Sequence, residues 1–229
     1  MNPRSHPQGF TRKELLVGFA FFSILCSFSF LGAFRTFERS GLMAKANAEA
    51  TNARCIHTAL TAWAQDHDQE FPTAQQYSNE AFRELFKVHL LEGGSGERVF
   101  GIPGDAWHNT SASGEGPDGK IGAPPEFSQA LERGECAWSY VSGLETCSRA
   151  DLPLIANGFT ESLGVYTDTK SFKGGVLSGE HAVYVTVGGS AKVASLSSDY
   201  RIVDKQDIKT VDVFSKEWGT NPDDIKNPF

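Results

Sequence analysis

The chain has 229 residues, with 21 Lys and Arg against 28 Asp and Glu and a formal net charge of -7. This length allows one ordinary domain with an appendage, or two domains only if both are small. The acidic balance argues against nucleic acid as a partner, because phosphate binding needs a basic surface. The charge is neither extreme nor blocky, which argues against wholesale disorder.

Apolar residues are concentrated near the N-terminus, where eight of the 17 Phe lie in residues 10–37. Residues 15–34 read LLVGFAFFSILCSFSFLGAF and carry no charge. A helix of this length spans about 30 Å, the thickness of a bilayer's hydrocarbon core. The run lacks the polar stripe of a soluble helix, and it is longer than the apolar core of an ordinary export signal. The sequence therefore predicts a membrane helix or a secretory signal here.

Helical sequence continues beyond the apolar run. Ile56, Leu60 and Trp63 recur at helical spacing, and no proline occurs between Pro7 and Pro72. A proline cannot continue a helix, and the residue before it prefers an extended conformation. We therefore predict one long helix from about residue 10 to about residue 66, whose second half suits the face of a globular domain.

The residues in front of the apolar run carry a family resemblance. Residues 9–16 read GFTRKELL, which resembles the class III signal of type IV prepilins and type II secretion pseudopilins. In that family a short polar leader ends in glycine, a prepilin peptidase cuts after it, and the new N-terminal residue is methylated. The resemblance implies cleavage between Gly9 and Phe10, N-methylation of Phe10, and an assembly role for Glu14, the fifth residue of the mature chain.

An ionised Glu14 at the edge of an apolar run is costly in lipid unless it is paired. Subunits packed helix beside helix can pair it with a neighbour's N-terminal ammonium, which favours a staggered helical assembly. Two features depart from the family: Arg12 and Lys13 replace apolar residues, and Leu31 stands where major pilins tend to carry proline. The second departure favours a pseudopilin or minor subunit. The alternative is that these charges simply flank an uncleaved signal anchor.

The rest of the chain is predicted to form a small domain that contains both helix and strands. Residues 78–80 start a short helix with Ser78 or Asn79 as its cap, and Phe82, Leu85 and Phe86 form its apolar face. Residues 93–125 form a long Gly- and Pro-rich loop. Alternating β-branched and aromatic residues predict strands in residues 135–141, 152–156 and 180–187, and the Gly188-Gly189 pair predicts a tight turn to a return strand in residues 190–196.

Two further features concern ligands and redox state. Some pseudopilins bind calcium in a loop, so Asp105 and Asp118 are weak calcium candidates, although their spacing lacks the acidic ladder of an EF-hand. No other cofactor is expected. Cys136 and Cys147 flank a predicted strand and turn, and a disulfide between them is possible in an oxidising compartment. No hydrolase, metalloprotease, Walker or dinucleotide motif occurs, so no enzyme activity is predicted.

Together with the resemblance, these features predict an α+β, pilin-like fold, with a long N-terminal helix whose transmembrane first half leads into a second half packed on a small antiparallel sheet. The expected divisions are a leader at residues 1–9, a transmembrane helix half at 10–34, a periplasmic body at 35–200 and an acidic tail at 201–229. From residue 35 onward, 18 basic and 27 acidic residues leave a charge of -9 (18 minus 27).

The resemblance implies a pseudopilin or minor pilin of a type II secretion or type IV pilus-like filament. Its expected location is the bacterial inner membrane, with the body in the periplasm. Expected partners are the prepilin peptidase and methyltransferase, other pilin or pseudopilin subunits, the inner-membrane assembly platform and membrane lipid. The alternative function is an uncleaved, membrane-anchored periplasmic binding protein or enzyme.

Overall fold

The structure is a computed structural model. It describes the backbone of residues 12–88, 90–91, 96–108, 116–206 and 209–229. Within these ranges it describes the side chains from residue 39 onward, except those of residues 205 and 206. Contacts within the chain define two compact units, Met1–Ala44 and Lys45–Phe229. The second unit, called the body below, contains all of the strands that the structure describes.

Helix α1 spans Arg12–Gln65, and it corrects the predicted transmembrane half. Among the residues whose side chains the structure describes, from 39 onward, no helix combines the length and the apolar character needed to cross a bilayer. The described side chains of α1 begin at Arg39, and Lys45, Glu49 and Arg54 interrupt any apolar run there. The pilin-like fold with a transmembrane first half is therefore contradicted, and the class that stands is α+β, with a helix and a five-stranded antiparallel sheet.

Within the body, α1 buries one stripe of small and aliphatic side chains. The members lie three or four residues apart, so they share one helix face: Ala46, Ala50, Ala53, Ile56, Leu60 and Ala64. Polar contacts fix this face against the sheet. His57 Nε2 lies 2.9 Å from the carbonyl oxygen of Val187, and Asn157 Nδ2 donates to Glu49 Oε2 at 3.2 Å.

The main sheet has the order β4-β3-β2-β1-β7, with every neighbouring pair antiparallel. Its strands are β1 (Trp138–Val141), β2 (Pro153–Asn157), β3 (His181–Thr186), β4 (Ala191–Ser195) and β7 (Ile225–Lys226). The predicted turn between β3 and β4 is confirmed, since the Gly189 N–H donates to the Thr186 carbonyl at 2.8 Å. Gly189 has a φ of 80°, which a residue with a Cβ adopts only with strain.

The C-terminal residues are built into this sheet and into a second, two-stranded one. Strands β5 (Val203–Gln206) and β6 (Lys209–Asp212) pair with each other, and β7 pairs with β1. Asn227, directly after β7, accepts from Ser139 Oγ at 2.7 Å and from the Phe159 N–H at 3.1 Å, and it donates to the Thr160 carbonyl at 2.8 Å. Residues 201–229 thus hold the edge of the body together.

The short helix predicted after residue 78 is confirmed as α2, Ser78–Lys87. Its predicted cap is wrong, because Tyr77 takes the cap position without a side-chain bond. Ser78 Oγ instead donates to the Trp138 carbonyl at 2.7 Å, and Asn79 Nδ2 donates to the Leu131 carbonyl at 2.8 Å. Both polar side chains therefore join α2 to the body rather than capping it. The apolar face is in the core, where the rings of Phe82 and Tyr140 lie 5.4 Å apart.

Candidate functional site

The processing and assembly motif lies outside the described side chains. Gly9 and Phe10 precede the described backbone, and Glu14 is described only as a backbone position of α1. Cleavage between Gly9 and Phe10, methylation of Phe10 and the assembly role of Glu14 therefore stay predictions.

Three acidic side chains meet in the body. Glu97, Asp118 and Glu135 each offer a carboxylate oxygen, and these oxygens lie within 4.8 Å of one another. Glu97 is fully buried and Glu135 is 4% exposed, whereas Asp118 reaches solvent. We call these three residues the carboxylate cluster. Asp118, one of the two weak calcium candidates, thus lies in this cluster, whereas the sequence analysis did not single out Glu97 or Glu135.

Glu97 is the centre of the carboxylate cluster's backbone contacts. Its Oε1 accepts from the Leu131 N–H at 2.7 Å, and its Oε2 accepts from the Gly119 N–H at 2.9 Å. The side chain thus connects two loop segments that are distant in sequence. Its pKa is nevertheless raised, because burial penalises the charged form more than these two bonds favour it.

Glu135 makes a second set of contacts with the same two segments. Its Oε2 accepts from the Glu132 N–H at 2.6 Å, and its Oε1 accepts from the Asp118 N–H at 3.3 Å. Burial, followed by the charge of Glu97, raises the pKa of Glu135 to about 7. Close to neutral pH, the carboxylate cluster therefore takes up a proton readily.

Lys120 Nζ lies 2.8 Å from Asp118 Oδ2 on the solvent side of the cluster. These three carboxylates are the described residues that could together hold a metal ion. Carboxylate oxygens suit calcium, but calcium takes about six to eight oxygens, so three side chains supply only part of a coordination shell. The carboxylate oxygens are therefore the kind of ligand that calcium prefers. A proton on one of the three carboxylates also reduces the repulsion among them.

Asp105, the other calcium candidate, is not part of the carboxylate cluster. It is 3% exposed, and its Oδ1 accepts from the Trp107 N–H at 2.8 Å. Its Oδ2 is buried and has no hydrogen-bond partner among the described residues. Burial raises the pKa of Asp105 to about 6, which favours a neutral acid over a metal ligand.

The charge of Asp105 acts on a second buried acid, Glu49. Glu49 of α1 is 5% exposed, and burial raises its pKa to about 7, with a smaller contribution from the charge of Asp105. Lys45 Nζ lies 3.9 Å from its Oε1, and Asn157 donates to its Oε2. We call Glu49 and Asp105 the helix-side acids.

The disulfide considered possible between Cys136 and Cys147 is not formed, and both cysteines are free thiols. Cys136 is fully buried before β1, with its Sγ 3.5 Å from the Trp138 carbonyl oxygen. Cys147 is exposed in a turn, with its Sγ 3.0 Å from Glu145 Oε2. Their sequence spacing permitted a bridge, but one thiol faces the core and the other faces solvent.

Sequence reasoning missed Glu97 and Glu135 for a physical reason. Glu97 lies inside the predicted loop at residues 93–125 and Glu135 lies beyond its end, and no local spacing links them. The signal available was weak: each acid directly follows a glycine, Gly96 or Gly134. No family model, no known protein and no solved structure matches this chain.

Proposed function

We propose that the chain is a structural subunit, a pseudopilin or minor pilin, of a type II secretion or type IV pilus-like filament. The observation that carries the proposal is the sequence GFTRKELL at residues 9–16, directly before an uncharged stretch of twenty residues. Cleavage falls between Gly9 and Phe10, Phe10 is methylated, and Glu14 pairs with the N-terminal ammonium of a neighbouring subunit.

The body supports this proposal through its architecture. Residues 45–65 of α1 pack one stripe on an antiparallel sheet, so this helix and the sheet share a core. The acids of the carboxylate cluster accept backbone N–H bonds across two loop segments, which is a structural role rather than a catalytic one. A rigid body that continues from an assembly helix suits a filament subunit.

The same proposal includes partners and location. A prepilin peptidase with methyltransferase activity acts on the leader, and the processed chain joins other pilin or pseudopilin subunits at an inner-membrane assembly platform. The apolar N-terminal sequence associates with the membrane lipid, and the acidic body lies in the periplasm.

The mass of the mature N-terminus tests the proposal. The full chain is expressed in cells with an active prepilin peptidase and, as a control, in cells that lack it. We expect an N-terminal peptide that begins with methylated Phe10 only when the peptidase is present, and Gly9→Leu should block its appearance. An intact Met1 in both hosts contradicts the proposal and favours the uncleaved membrane-anchored protein.

A further inference from the structure

One surface pocket lies beyond the end of β2. It has a volume of about 380 Å³, within the range of pockets that hold small ligands or single side chains of a partner. Its lining combines hydroxyls, one carboxylate, one ammonium and one aromatic ring: Thr160, Glu161, Ser162, Thr167, Phe172 and Lys173. We call these six residues the pocket.

The pocket's ammonium, that of Lys173, has a second cation near it, the guanidinium of Arg133. Lys173 Nζ lies 3.9 Å from the centre of the Trp107 ring, and the Arg133 guanidinium lies 5.5 Å from that of Phe229. Neither forms an ion pair within the described part of the chain. Burial and the neighbouring charge of Arg133 lower the pKa of Lys173, while Glu161 acts in the opposite direction. An incoming carboxylate would offset this repulsion.

The pocket also has an apolar anchor. Phe172 is 65% exposed, the largest exposure among the exposed large hydrophobic side chains described. Exposed aromatic rings beside unpaired charges are common at protein interfaces, where a ring supplies contact area and the charges supply register. These features point to a partner surface that is acidic.

The body itself carries such a surface at its other end. Glu70 and Glu145 face each other in an isolated antiparallel bridge, and Asp66 and Asp68 precede them in the turn that follows α1. All four side chains are exposed, and none has an ion-pair partner among the described residues. Like charges opposite each other across a bridge are destabilising unless a cation joins them. We call these four residues the acidic turn.

The two surfaces lie beyond opposite ends of β1 and β2. Trp138 pairs with Asn157 at one end of this strand pair, and the pocket follows Asn157 in sequence. The acidic turn lies past the other end, because Glu145 follows Val141, the last residue of β1. Complementary surfaces at opposite ends allow a head-to-tail contact, which generates rings or open helical filaments rather than closed dimers.

We propose that the pocket of one copy of this chain receives the acidic turn of the next copy, with Lys173 and Arg133 as the contacts for its carboxylates. This inference rests on the proposed function and adds to it a contact between bodies. The contact fixes the direction and the register in which successive bodies follow each other.

Cysteine cross-linking of the full chain tests the contact. Cys147 is exposed and lies beside Glu145 of the acidic turn, so Phe172→Cys places a partner thiol at the pocket. In a background of Cys26→Ser and Cys55→Ser, mild oxidation of membranes that contain Phe172→Cys should give a ladder of dimers, trimers and larger species. Adding Cys147→Ser should abolish the ladder. Ser190→Cys is the matched control, because it is exposed in the β3–β4 turn, at the same end as Cys147.

Charge reversal then tests the chemistry of the contact. Lys173→Glu should lower the ladder yield about tenfold, which corresponds to about 1.4 kcal/mol, whereas Lys173→Arg should preserve it. Glu70→Lys should lower the yield similarly, and the combination of Lys173→Glu with Glu70→Lys should restore it. If the double variant restores the ladder yield, the loss in the single variants does not come from misfolding.

Several outcomes overturn the contact. These are a ladder no stronger than that of Ser190→Cys, a yield insensitive to Lys173→Glu, or dimers that form without Cys147, which indicate pocket-to-pocket pairing. The N-terminal mass is measured on the same samples. A processed chain without a ladder overturns the contact and leaves the proposed function standing, while a ladder from an unprocessed chain supports the contact and contradicts the function.

Discussion

The carboxylate cluster and the helix-side acids bury the same chemical group in two different ways. In the carboxylate cluster, four backbone N–H groups donate to the two buried glutamates, Glu97 and Glu135. Glu49 and Asp105 together receive one side-chain amide and one backbone N–H, and Asp105 Oδ2 receives nothing within the described structure. Glu135 and Glu49 both have a pKa raised to about 7, so the two pairs differ in their backbone contacts: the carboxylate cluster connects loops, and the helix-side acids do not.

The contrast follows from where the acids sit. The N–H groups that donate to Glu97 and Glu135 belong to residues 118, 119, 131 and 132, which lie outside helices and strands, so the carboxylates supply the missing acceptors. Glu49 lies inside α1, where neighbouring N–H groups are already bonded along the helix. A buried acid in that position has few donors available, and it lowers its cost by remaining protonated.

Among the substitutions that test this contrast, Glu97→Ala is expected to change the unfolding free energy most. It leaves the buried N–H of Leu131 and the half-buried N–H of Gly119 without an acceptor. A buried group of this kind costs about 1–3 kcal/mol and a half-buried one less, so we expect a loss of about 3 kcal/mol of unfolding free energy. Chemical denaturation of the full chain measures it. Glu132→Ala, an exposed acid nearby, is the control, with a change within about 0.5 kcal/mol. Equal effects of the two variants contradict a loop-connecting role.

The pH dependence of stability tests the helix-side acids. The pKa of Glu49 is raised from 4.5 to about 7, so the folded state binds this proton more tightly than the unfolded state. The resulting stability is fully present below pH 4.5 and is lost as pH rises to about 7. We expect a fall of about 3 kcal/mol from this group. Asp105, whose pKa is raised from 3.8 to about 6, acts in the same direction over a lower range.

Glu49→Gln separates this contribution from the rest of the protein. The amide keeps an oxygen that can accept from Asn157 but does not ionise, so unfolding free energy should fall less steeply between pH 4.5 and 7. Denaturant titrations at several pH values measure the slope. Glu126→Gln, at an exposed acid, should leave the slope unchanged. A Glu49→Gln slope that matches the unmodified chain means that Glu49 is not the proton-retaining group.

Sequence reasoning predicted the elements whose signal is local. The alternation in β3, the Gly188-Gly189 turn and the apolar face of α2 each depend on neighbouring residues, and each is found. The transmembrane half of α1 was predicted from local composition as well, and it is contradicted, because no helix among the residues with described side chains, from 39 onward, has the length and apolar character to cross a bilayer.

Features that depend on distant contacts were not predictable in this way. The strand β7 has two residues and no alternation of its own, and it forms because β1 offers an edge. Ser78 and Asn79 had the chemistry of caps, but tertiary acceptors at Trp138 and Leu131 bind them instead. Glu97 and Glu135 belong together only after two loops have folded around them.

The presence of the processed chain in a filament tests the central claim most directly. Filaments are sheared from cells that carry the prepilin peptidase and the assembly machinery, and the body is detected by immunoblot. We expect it in the filament fraction for the unmodified chain, strongly reduced for Glu14→Ala and retained for Glu14→Asp, because the carboxylate pairs with a neighbour's ammonium. Absence of the processed chain from filaments contradicts the claim that it is an assembly subunit. Equal amounts of all three chains contradict the pairing role of Glu14.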